Sequence, residues 1–340
     1  MEEEKMPKSK VRSRRVTPWD ESSDLTPTQE FLKAHYLAHY IDRHPDLTST
    51  HEEMLINEYV PRKCPLCQSP SFVKRGFTRN GVQRYKCDLC GGTFTPTTGT
   101  IFEDHKIAIS EWMEYCLNLI RHVSINAGSW NNKNAFSTSK YWLKKVFVTL
   151  EDYQASIILG DVAWMDETYY PVIRSDQTFS SEGGKLHGLS TNQICIGVAT
   201  DKTYTICFAE GLKKTSRKRT FETFKDHLKP GSTLVHDKET SHLRLVEELS
   251  LKSIEYDSES LKGLPDAENP LDPVNDVHDR LKKFLNAHSG FTRDDLQGYL
   301  DLFAFVRNPP YEPLEKVELL MKMAFENPKK LSYRDANRLK

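Results

Sequence analysis

Apolar and polar positions follow a helical period in the first half of the chain and a strand period through much of the second. Between residues 109 and 120, "ISEWMEYCLNLI" places apolar side chains three and four positions apart. This spacing predicts a helix with one face toward the core. The apolar face consists of Ile109, Trp112, Met113, Cys116, Leu117 and Ile120. From residue 157 onward, β-branched and aromatic runs predict strands that alternate with helices before a helical C-terminus.

A second helix is predicted through "KYWLKKVFVTL", after a polar segment that contains Gly and Asn. Ser137 or Thr138 can accept hydrogen bonds from the first free N–H groups of this helix and so begin it. A helix, a polar turn and a basic helix form a helix-turn-helix pattern, which also occurs by chance in helical proteins. On the DNA-binding interpretation, Lys140, Lys144 and Lys145 face DNA.

Two earlier stretches are also predicted to be helical. The first is "PTQEFLKAHYLAHYIDRH", and the second lies around "STHEEMLINEYV". In the second, Ser49 is followed three residues later by Glu52, which is the spacing of a capping box. The charged segment "MEEEKMPKSKVRSRR" has no apolar core and predicts a solvated, disordered tail.

The second half predicts a mixed sheet. "DVAWMDETYYPV", "NQICIGVATD" and "KTYTICFAEGL" are apolar strand-like runs, "TFETFKDHL" is helical, and "STLVHD" is again strand-like. The order strand, strand, strand, helix, strand and then helices is typical of a ribonuclease H-like α/β domain. The predicted fold is therefore a multidomain α+β protein, with this domain after the N-terminal modules.

Length and composition exclude several classes. A chain of 340 residues with 38% hydrophobic and 28% charged residues is long enough for two or three globular domains. No apolar run approaches the ~20 residues that a membrane-spanning helix needs, and no secretory signal is present. We therefore expect a cytoplasmic protein that does not associate with a membrane.

The charge distribution favours a polyanionic partner, although the net charge is only −1. The segment from residue 62 to 86 carries seven Lys and Arg residues and no acid, and "KKTSRKR" forms a second basic cluster from residue 213 to 219. The alternative is that these runs are solvated surface. Within the first cluster, we expect four residues to contact DNA: Lys74, Arg75, Arg79 and Arg84.

Four cysteines have the spacing of a zinc site. "CPLC" supplies Cys64 and Cys67, and "CDLC" supplies Cys87 and Cys90. Two such pairs place four thiolates on two tight turns, as tetrahedral structural Zn²⁺ requires. The intervening sequence predicts a β-hairpin with "RNG" at its turn, so the module is predicted to be a zinc ribbon. A redox dithiol is the alternative.

Two aspartates and a helix provide candidate ligands for a second kind of metal. Asp166 lies within the first predicted strand and Asp237 ends the fourth, while Asn275 lies on the helix of "VNDVHDRLKKFL". Oxygen ligands of this kind can hold two Mg²⁺ or Mn²⁺ ions, which catalyse in-line phosphodiester displacement. Asp161 and Glu167 are alternative acids, but Glu167 should point to the opposite side of its strand from Asp166.

The helix that carries Asn275 has an unusual polar stripe. His278 and Lys282 share its side, so Lys282 is predicted to contact a DNA phosphate near the metals. Asp276 and Asp279 remain alternatives for the third ligand, and Asn275 can instead begin the helix. His236 and His242 flank Asp237 and are candidates to support the site.

The segments "WMDETYYPV", "HGLSTNQICIGVATD", "LVHDKETSH" and "VNDVHDRLKKFLNAHSGFTRDDLQGYLDLFAFVRN" resemble bacterial insertion-sequence transposases of the DDE superfamily. The similar branch has an N-terminal zinc ribbon and is related to eukaryotic Merlin elements. The resemblance covers residues 64 to 308. In that branch Asn can be the third ligand, with Lys seven residues later, which favours Asn275 and Lys282.

The resemblance implies Mg²⁺-dependent cleavage of double-stranded DNA at terminal inverted repeats and strand transfer into target DNA by at least a homodimer. The alternatives are a non-catalytic or domesticated DNA-binding regulator, and a nuclease or junction resolvase of the same fold. The predicted organisation is an N-terminal segment 1–61, a zinc ribbon 62–104, a helical DNA-binding region 105–155, a catalytic domain 156–310 and a helical tail 311–340.

Overall fold

The computed structural model describes residues 52–105, 107–132, 134–172, 190–257, 259–288 and 291–338, together with residues 27, 177–179, 181, 184 and 186. The disordered tail, the first predicted helix apart from Pro27, and Ser49 of the predicted capping box lie outside these residues. Helix α1, Glu52–Glu58, is the first described element with more than one residue.

A small three-stranded antiparallel sheet follows α1. Its strands are β1 (Phe72–Phe77), β2 (Gln83–Cys87) and β3 (Thr93–Phe94), in the order β1-β2-β3. Gly81 turns the chain between β1 and β2 with φ 78°, a left-handed conformation that glycine adopts without strain. These two strands therefore form the hairpin that the sequence predicts.

Three helices come next: α2 (Ile109–Ile120), α3 (Ile125–Asn131) and α4 (Phe136–Leu150). The sequence predicts α2 and α4 but not α3. Ser124 caps the start of α3, because its hydroxyl accepts from the Ala127 backbone N–H. Buried residues lie on several sides of α4, and this helix packs against α2, α3 and the C-terminal helices.

A five-stranded mixed sheet forms the centre of the second half. Its strands are β4 (Val162–Pro171), β5 (Gln193–Thr200), β6 (Thr205–Leu212), β7 (Thr233–Asp237) and β8 (Lys252–Tyr256). The order is β6-β5-β4-β7-β8, with β4, β5 and β6 antiparallel and β4, β7 and β8 parallel. Helices α5 (Arg217–Phe224) and α6 (Leu243–Glu248) make the two crossovers. The mixed α/β class is confirmed, and the predicted order of elements is confirmed through β7; β8, where the sequence predicts only helices, is an additional strand.

The two faces of this sheet bury different helices. Met165, Ala199 and Leu234 pack with Phe224 of α5 and Leu245 of α6. On the other face, residues such as Val198 and Val235 join the larger core with helices α7 (Asp272–Ala287) and α8 (Leu296–Arg307). Because side chains alternate along a strand, consecutive residues of β4 reach different helical layers.

The last helices are α9 (Pro313–Glu326) and α10 (Tyr333–Arg338). Helix α9 packs on α2 and α4, and Phe325 stacks on Tyr59 with ring centroids 4.3 Å apart. One continuous core thus contains side chains from α1, α2, α4, the sheet and α7 to α9. The predicted boundary near residue 155 divides the sequence, but it does not divide this core.

Candidate functional site

Asp166 and Asp237 lie next to each other on neighbouring parallel strands. Met165 of β4 is paired with His236 of β7, and each aspartate is the next residue of its strand. Asp166 alternates with Met165, and Asp237 with His236, so both aspartates belong to the face that packs on α7. The strand register therefore brings together two of the three predicted metal ligands.

Helix α7 packs across this face at β4 and β5. His278 is buried, and its Nδ1 lies 3.9 Å from Oδ2 of Asp166. Asn275 lies three residues earlier, on the adjoining turn, and is partly buried. Lys282 is exposed one turn beyond His278. The stripe predicted from the sequence thus runs along α7 beside Asp166. By contrast, Asp276 turns toward α8, where it pairs with Arg307 at 3.0 Å.

The pKa values of both aspartates are raised. Burial and then the negative charge of Asp237 raise the pKa of Asp166 to about 7. Burial also raises the pKa of Asp237. A site that crowds carboxylates in this way favours a proton or a cation at the same place. The same burial, followed by the charge of Lys282, lowers the pKa of His278 to about 4, so its imidazole is neutral.

Glu167 lies on the opposite face of β4 from Asp166, as the strand period predicts. Ser241 Oγ donates to Glu167 Oε1 at 2.8 Å, and His242 Nε2 lies 3.2 Å from the same oxygen. The imidazole N–H does not point along this line, so the contact is a buried ion pair and not a linear hydrogen bond. The remaining nitrogen of His242 lies 4.0 Å from Oδ1 of Asp237.

His242 therefore connects the two faces at the end of the sheet. Its Nδ1 also lies 3.1 Å from Nδ1 of His236, and both imidazoles are fully buried. The sequence suggests that these histidines support the site, but it does not show that Glu167 is the partner of His242. The separation of Glu167 from His242 along the chain conceals this pairing, which depends on β4 and β7 being neighbours.

The four predicted zinc ligands converge. Their Sγ atoms all lie within 4.8 Å of one another, with Cys64 to Cys90 at 3.8 Å and Cys67 to Cys87 at 3.5 Å. Four sulfurs ~2.3 Å from a tetrahedral Zn²⁺ would be about 3.8 Å apart, so the donor set fits this ion. Backbone N–H groups of Cys90 and Leu89 lower the pKa of Cys87 to about 6, whereas burial and contacts to the other thiols raise the pKa of Cys67 to about 12, so the first thiolate of this cluster forms at Cys87.

The predicted DNA-binding residues fall into two groups. The four residues of the ribbon are all exposed: Lys74, Arg75, Arg79 and Arg84. The residues of α4 differ from one another, since Lys140 is exposed, Lys144 pairs with Asp295, and Lys145 is 7% exposed. The Lys145 ammonium donates to the Ile101 carbonyl. Lys145 does not face solvent, because α4 is a core helix and only its first turn is open.

The basic cluster from residue 213 to 219 lies close to the aspartates. Lys214 pairs with Glu239 at 2.6 Å, and Glu239 donates its backbone N–H to Asp237 Oδ1 at 3.1 Å. Ser216 begins α5 by accepting from Arg219 N. A cation at this edge lies next to the strand end that carries Asp237.

Comparisons with known proteins give limited matches. No model of a known protein family matches the chain. A stretch of 58 residues is 38% identical to an uncharacterized protein in the transposable element ISH50 of Halobacterium salinarum. This stretch covers 17% of the chain and 19% of that protein, so the chain matches less than a fifth of the length of its curated relative.

Two solved structures align over part of the chain. The Mos1 strand transfer complex aligns at 13% identity over 57% of this chain and 62% of its own, with a TM-score of 0.30. The catalytic domain of Mos1 mariner transposase aligns at 11% identity over 55% and 94%, with a TM-score of 0.28. These TM-scores are too low to establish a shared fold, so the proposals below rest on the chain's own sequence and geometry.

Proposed function

We propose that this protein is a DNA transposase of the DDE superfamily, in the zinc-ribbon branch related to Merlin elements. It cleaves DNA at element ends and transfers the strand into target DNA. The observation that carries the proposal is the pairing of Asp166 and Asp237 on parallel strands beneath the Asn275 stripe of α7. We further propose that the chain is a bacterial protein that acts at the nucleoid, as the resemblance of its motifs to insertion-sequence transposases implies.

The proposed catalytic ligands are Asp166, Asp237 and the amide oxygen of Asn275. The raised pKa values of both aspartates support a cation site, because a divalent ion would offset the crowding of buried carboxylates. Bound Mg²⁺ or Mn²⁺ would activate the attacking water or 3′-hydroxyl and stabilise the leaving oxygen. His278, whose Nδ1 lies 3.9 Å from Oδ2 of Asp166, is the proposed further catalytic residue, and Lys282 offers an exposed ammonium to a phosphate.

The zinc ribbon and the first turn of α4 are the proposed contacts to the terminal repeats. The ribbon offers Arg75 and Arg84 on an exposed strand pair, and Zn²⁺ would hold its two cysteine turns together. Such phosphate contacts position a protein without reading sequence and make affinity fall with salt. Because two element ends must be joined, the proposed active form is at least a homodimer on DNA.

A cleavage and strand-transfer assay tests the proposal. The substrate is a labelled duplex that carries the ends flanking this coding sequence, with Mg²⁺ or Mn²⁺. Asp166→Asn and Asp237→Asn should each abolish product, whereas Asp161→Asn should not, because Asp161 is exposed and pairs with Lys229. Product formation by Asp166→Asn at the rate of the unmodified chain would refute the assignment.

The third ligand is tested in the same assay. Asn275→Ala should remove activity, while Asp279→Asn should leave it close to that of the unmodified chain because Asp279 is exposed. The opposite result would move the ligand to Asp279. Salt-dependent binding to the ends without cleavage under either metal would instead favour the DNA-binding regulator.

A further inference from the structure

A pocket of about 410 Å³ opens on another side of α7 from the aspartates. Its wall comes from α7, from α8 and from the residue that follows the end of α2. Arg280 lies about 140° around the helix axis from Asn275, since each residue adds ~100°. The same helix therefore presents the candidate metal ligand on one flank and this pocket on another. Its volume is in the ~300–1,000 Å³ range of small-molecule sites.

The mouth of the pocket is cationic. Arg280, Lys283 and Arg307 line it, and the carboxylate that contacts two of them is Asp276. Arg280 Nε donates to both Asp276 oxygens at 2.7 and 2.9 Å, and Arg307 Nη2 donates to Oδ2 at 3.0 Å. One carboxylate thus orients two guanidinium groups, and the four side chains together keep an excess of two positive charges. Planar guanidinium groups held in this way suit a phosphate.

The inner wall of the pocket is apolar and aromatic. Phe284 and Phe303 lie there, each 4% exposed, beside Val306. A ligand that fills the pocket must therefore combine a flat or apolar body with an anionic group. Inorganic phosphate alone would leave the apolar wall uncovered, and a nucleoside alone would leave the cations unpaired.

His122 supports the assignment independently. It follows α2 with φ 59°, the left-handed conformation that usually falls to glycine at this position. Its N–H bonds to Leu119 O at 3.0 Å, and the next N–H bonds to Asn118 O at 2.9 Å, which completes the helix end. A residue with a Cβ is strained in this conformation. In return, its imidazole lies in the pocket wall, 5.9 Å from the Phe284 ring.

We infer that this pocket binds a nucleoside monophosphate unit, with its phosphate at the Arg280, Lys283 and Arg307 mouth and its base against the phenylalanine wall. The unit is either a free mononucleotide or an unpaired nucleotide at the end of a DNA strand. The second source rests on the proposed transposase function, whereas the first does not.

Calorimetric titration of the full chain with deoxyadenosine monophosphate tests the inference in metal-ion-free buffer. Deoxyadenosine and inorganic phosphate should each bind at least tenfold more weakly than the nucleotide. The double variant Arg280→Gln, Lys283→Gln should weaken nucleotide binding at least tenfold. Lys202→Gln, which removes an exposed cation between β5 and β6, should not change it.

A second variant separates the pocket from general surface charge. Ala287→Trp fills the mouth from an exposed position at the end of α7 and removes no cation. It should weaken nucleotide binding as much as the double variant does. Equal affinity in Ala287→Trp and the unmodified chain, or no binding of the nucleotide in any DNA or free form, would overturn the inference.

The source of the nucleotide is determined by comparing a blunt duplex with one that ends in three unpaired nucleotides. If the overhang duplex binds more tightly than the blunt duplex, and Ala287→Trp abolishes this difference, the pocket is assigned to a DNA strand end. Equal binding of both duplexes, with deoxyadenosine monophosphate still bound, assigns it to a free mononucleotide. If the unmodified chain cleaves element ends but binds no nucleotide, only the pocket assignment is refuted. If it binds the nucleotide but does not cleave, only the transposase function is refuted.

Discussion

Glu167→Gln removes one charge from the buried pair with His242 and leaves the shape of the side chain almost unchanged. Burial works against charge on His242, but the contact with Glu167 outweighs it and raises the pKa above the model-peptide value of 6.5. Burial works against Glu167 as well, yet His242 outweighs it and lowers the pKa below 4.5. Both shifts favour the charged pair in the folded chain.

The sign of each shift fixes the pH window. The stability from His242 is complete below its unfolded pKa of ~6.5 and is lost as pH rises through its higher folded value. The stability from Glu167 is complete above ~4.5 and is lost as pH falls through its lower folded value. The pair therefore contributes most between about pH 4.5 and 6.5.

We expect Glu167→Gln to lower the free energy of unfolding by about 3–5 kcal/mol at pH 5.5, the usual cost of removing one partner of a buried ion pair. The Gln oxygen can still accept from Ser241, so that bond does not enter the difference. As pH rises through the raised pKa of His242, its imidazole loses the proton and the difference between the two chains should shrink.

Urea unfolding followed by tryptophan fluorescence at pH 5.5 and 8.5 measures both values. Glu222→Gln is the matched control, because Glu222 is exposed and pairs only at the surface with Lys225; it should change stability by less than ~0.5 kcal/mol. A Glu167→Gln effect that is equal at the two pH values would refute the assignment of a buried ion pair.

Three further predictions follow. Asp166→Asn should raise the free energy of unfolding by about 2 kcal/mol at pH 8, because the raised pKa of Asp166 makes its folded carboxylate less favourable as pH rises to about 7. Asp161→Asn should not raise it, because Asp161 is exposed and pairs with Lys229. Gly197→Ala should cost about 2 kcal/mol in urea unfolding, because its Cβ would lie 2.7 Å from Cε2 of the fully buried Phe224 ring. Gly128→Ala should cost nothing, because its Cβ would meet no atom within 4 Å. Cys64→Ser should lower the zinc content measured by atomic emission, and full zinc retention would contradict the four-thiolate site.

The sequence predicts strands β4 to β7 because local patterns set them, but it does not predict β8, whose residues are mostly exposed. The residues of β4 to β7 alternate or run apolar within single segments. The positions of these strands, and the end of β7 at Asp237, can therefore be predicted without knowing which strands pair. The positions of Asp166 and Glu167 on opposite faces also follow from the strand period alone.

The environment of α4 is not predictable in the same way. Its lysines satisfy the pattern of a basic helix, but burial depends on α8 and α9, which come more than a hundred residues later. Lys145 reaches a carbonyl of the preceding loop and so is accommodated inside the core. Only tertiary packing distinguishes this lysine from the exposed Lys140.

Contacts between distant segments are hidden for the same reason. Glu167 meets Ser241 and His242, and Arg307 meets Asp276, only after strands and helices have docked. No spacing along the sequence marks these pairs. The zinc-type cluster is the exception, because two short cysteine motifs and a hairpin already bring its four thiols together.

The distribution of the candidate ligands along the chain has a consequence for the order of events during synthesis. Asp166, Asp237 and Asn275 are spread over about a third of the sequence. At ~5–20 residues per second, a ribosome needs roughly 5–20 s to make the segment from the first ligand to the third. During that interval β4 can exist without α7, so the nascent chain cannot assemble the cluster. The four cysteines are already translated by then, so the proposed zinc site would be complete before the three candidate ligands.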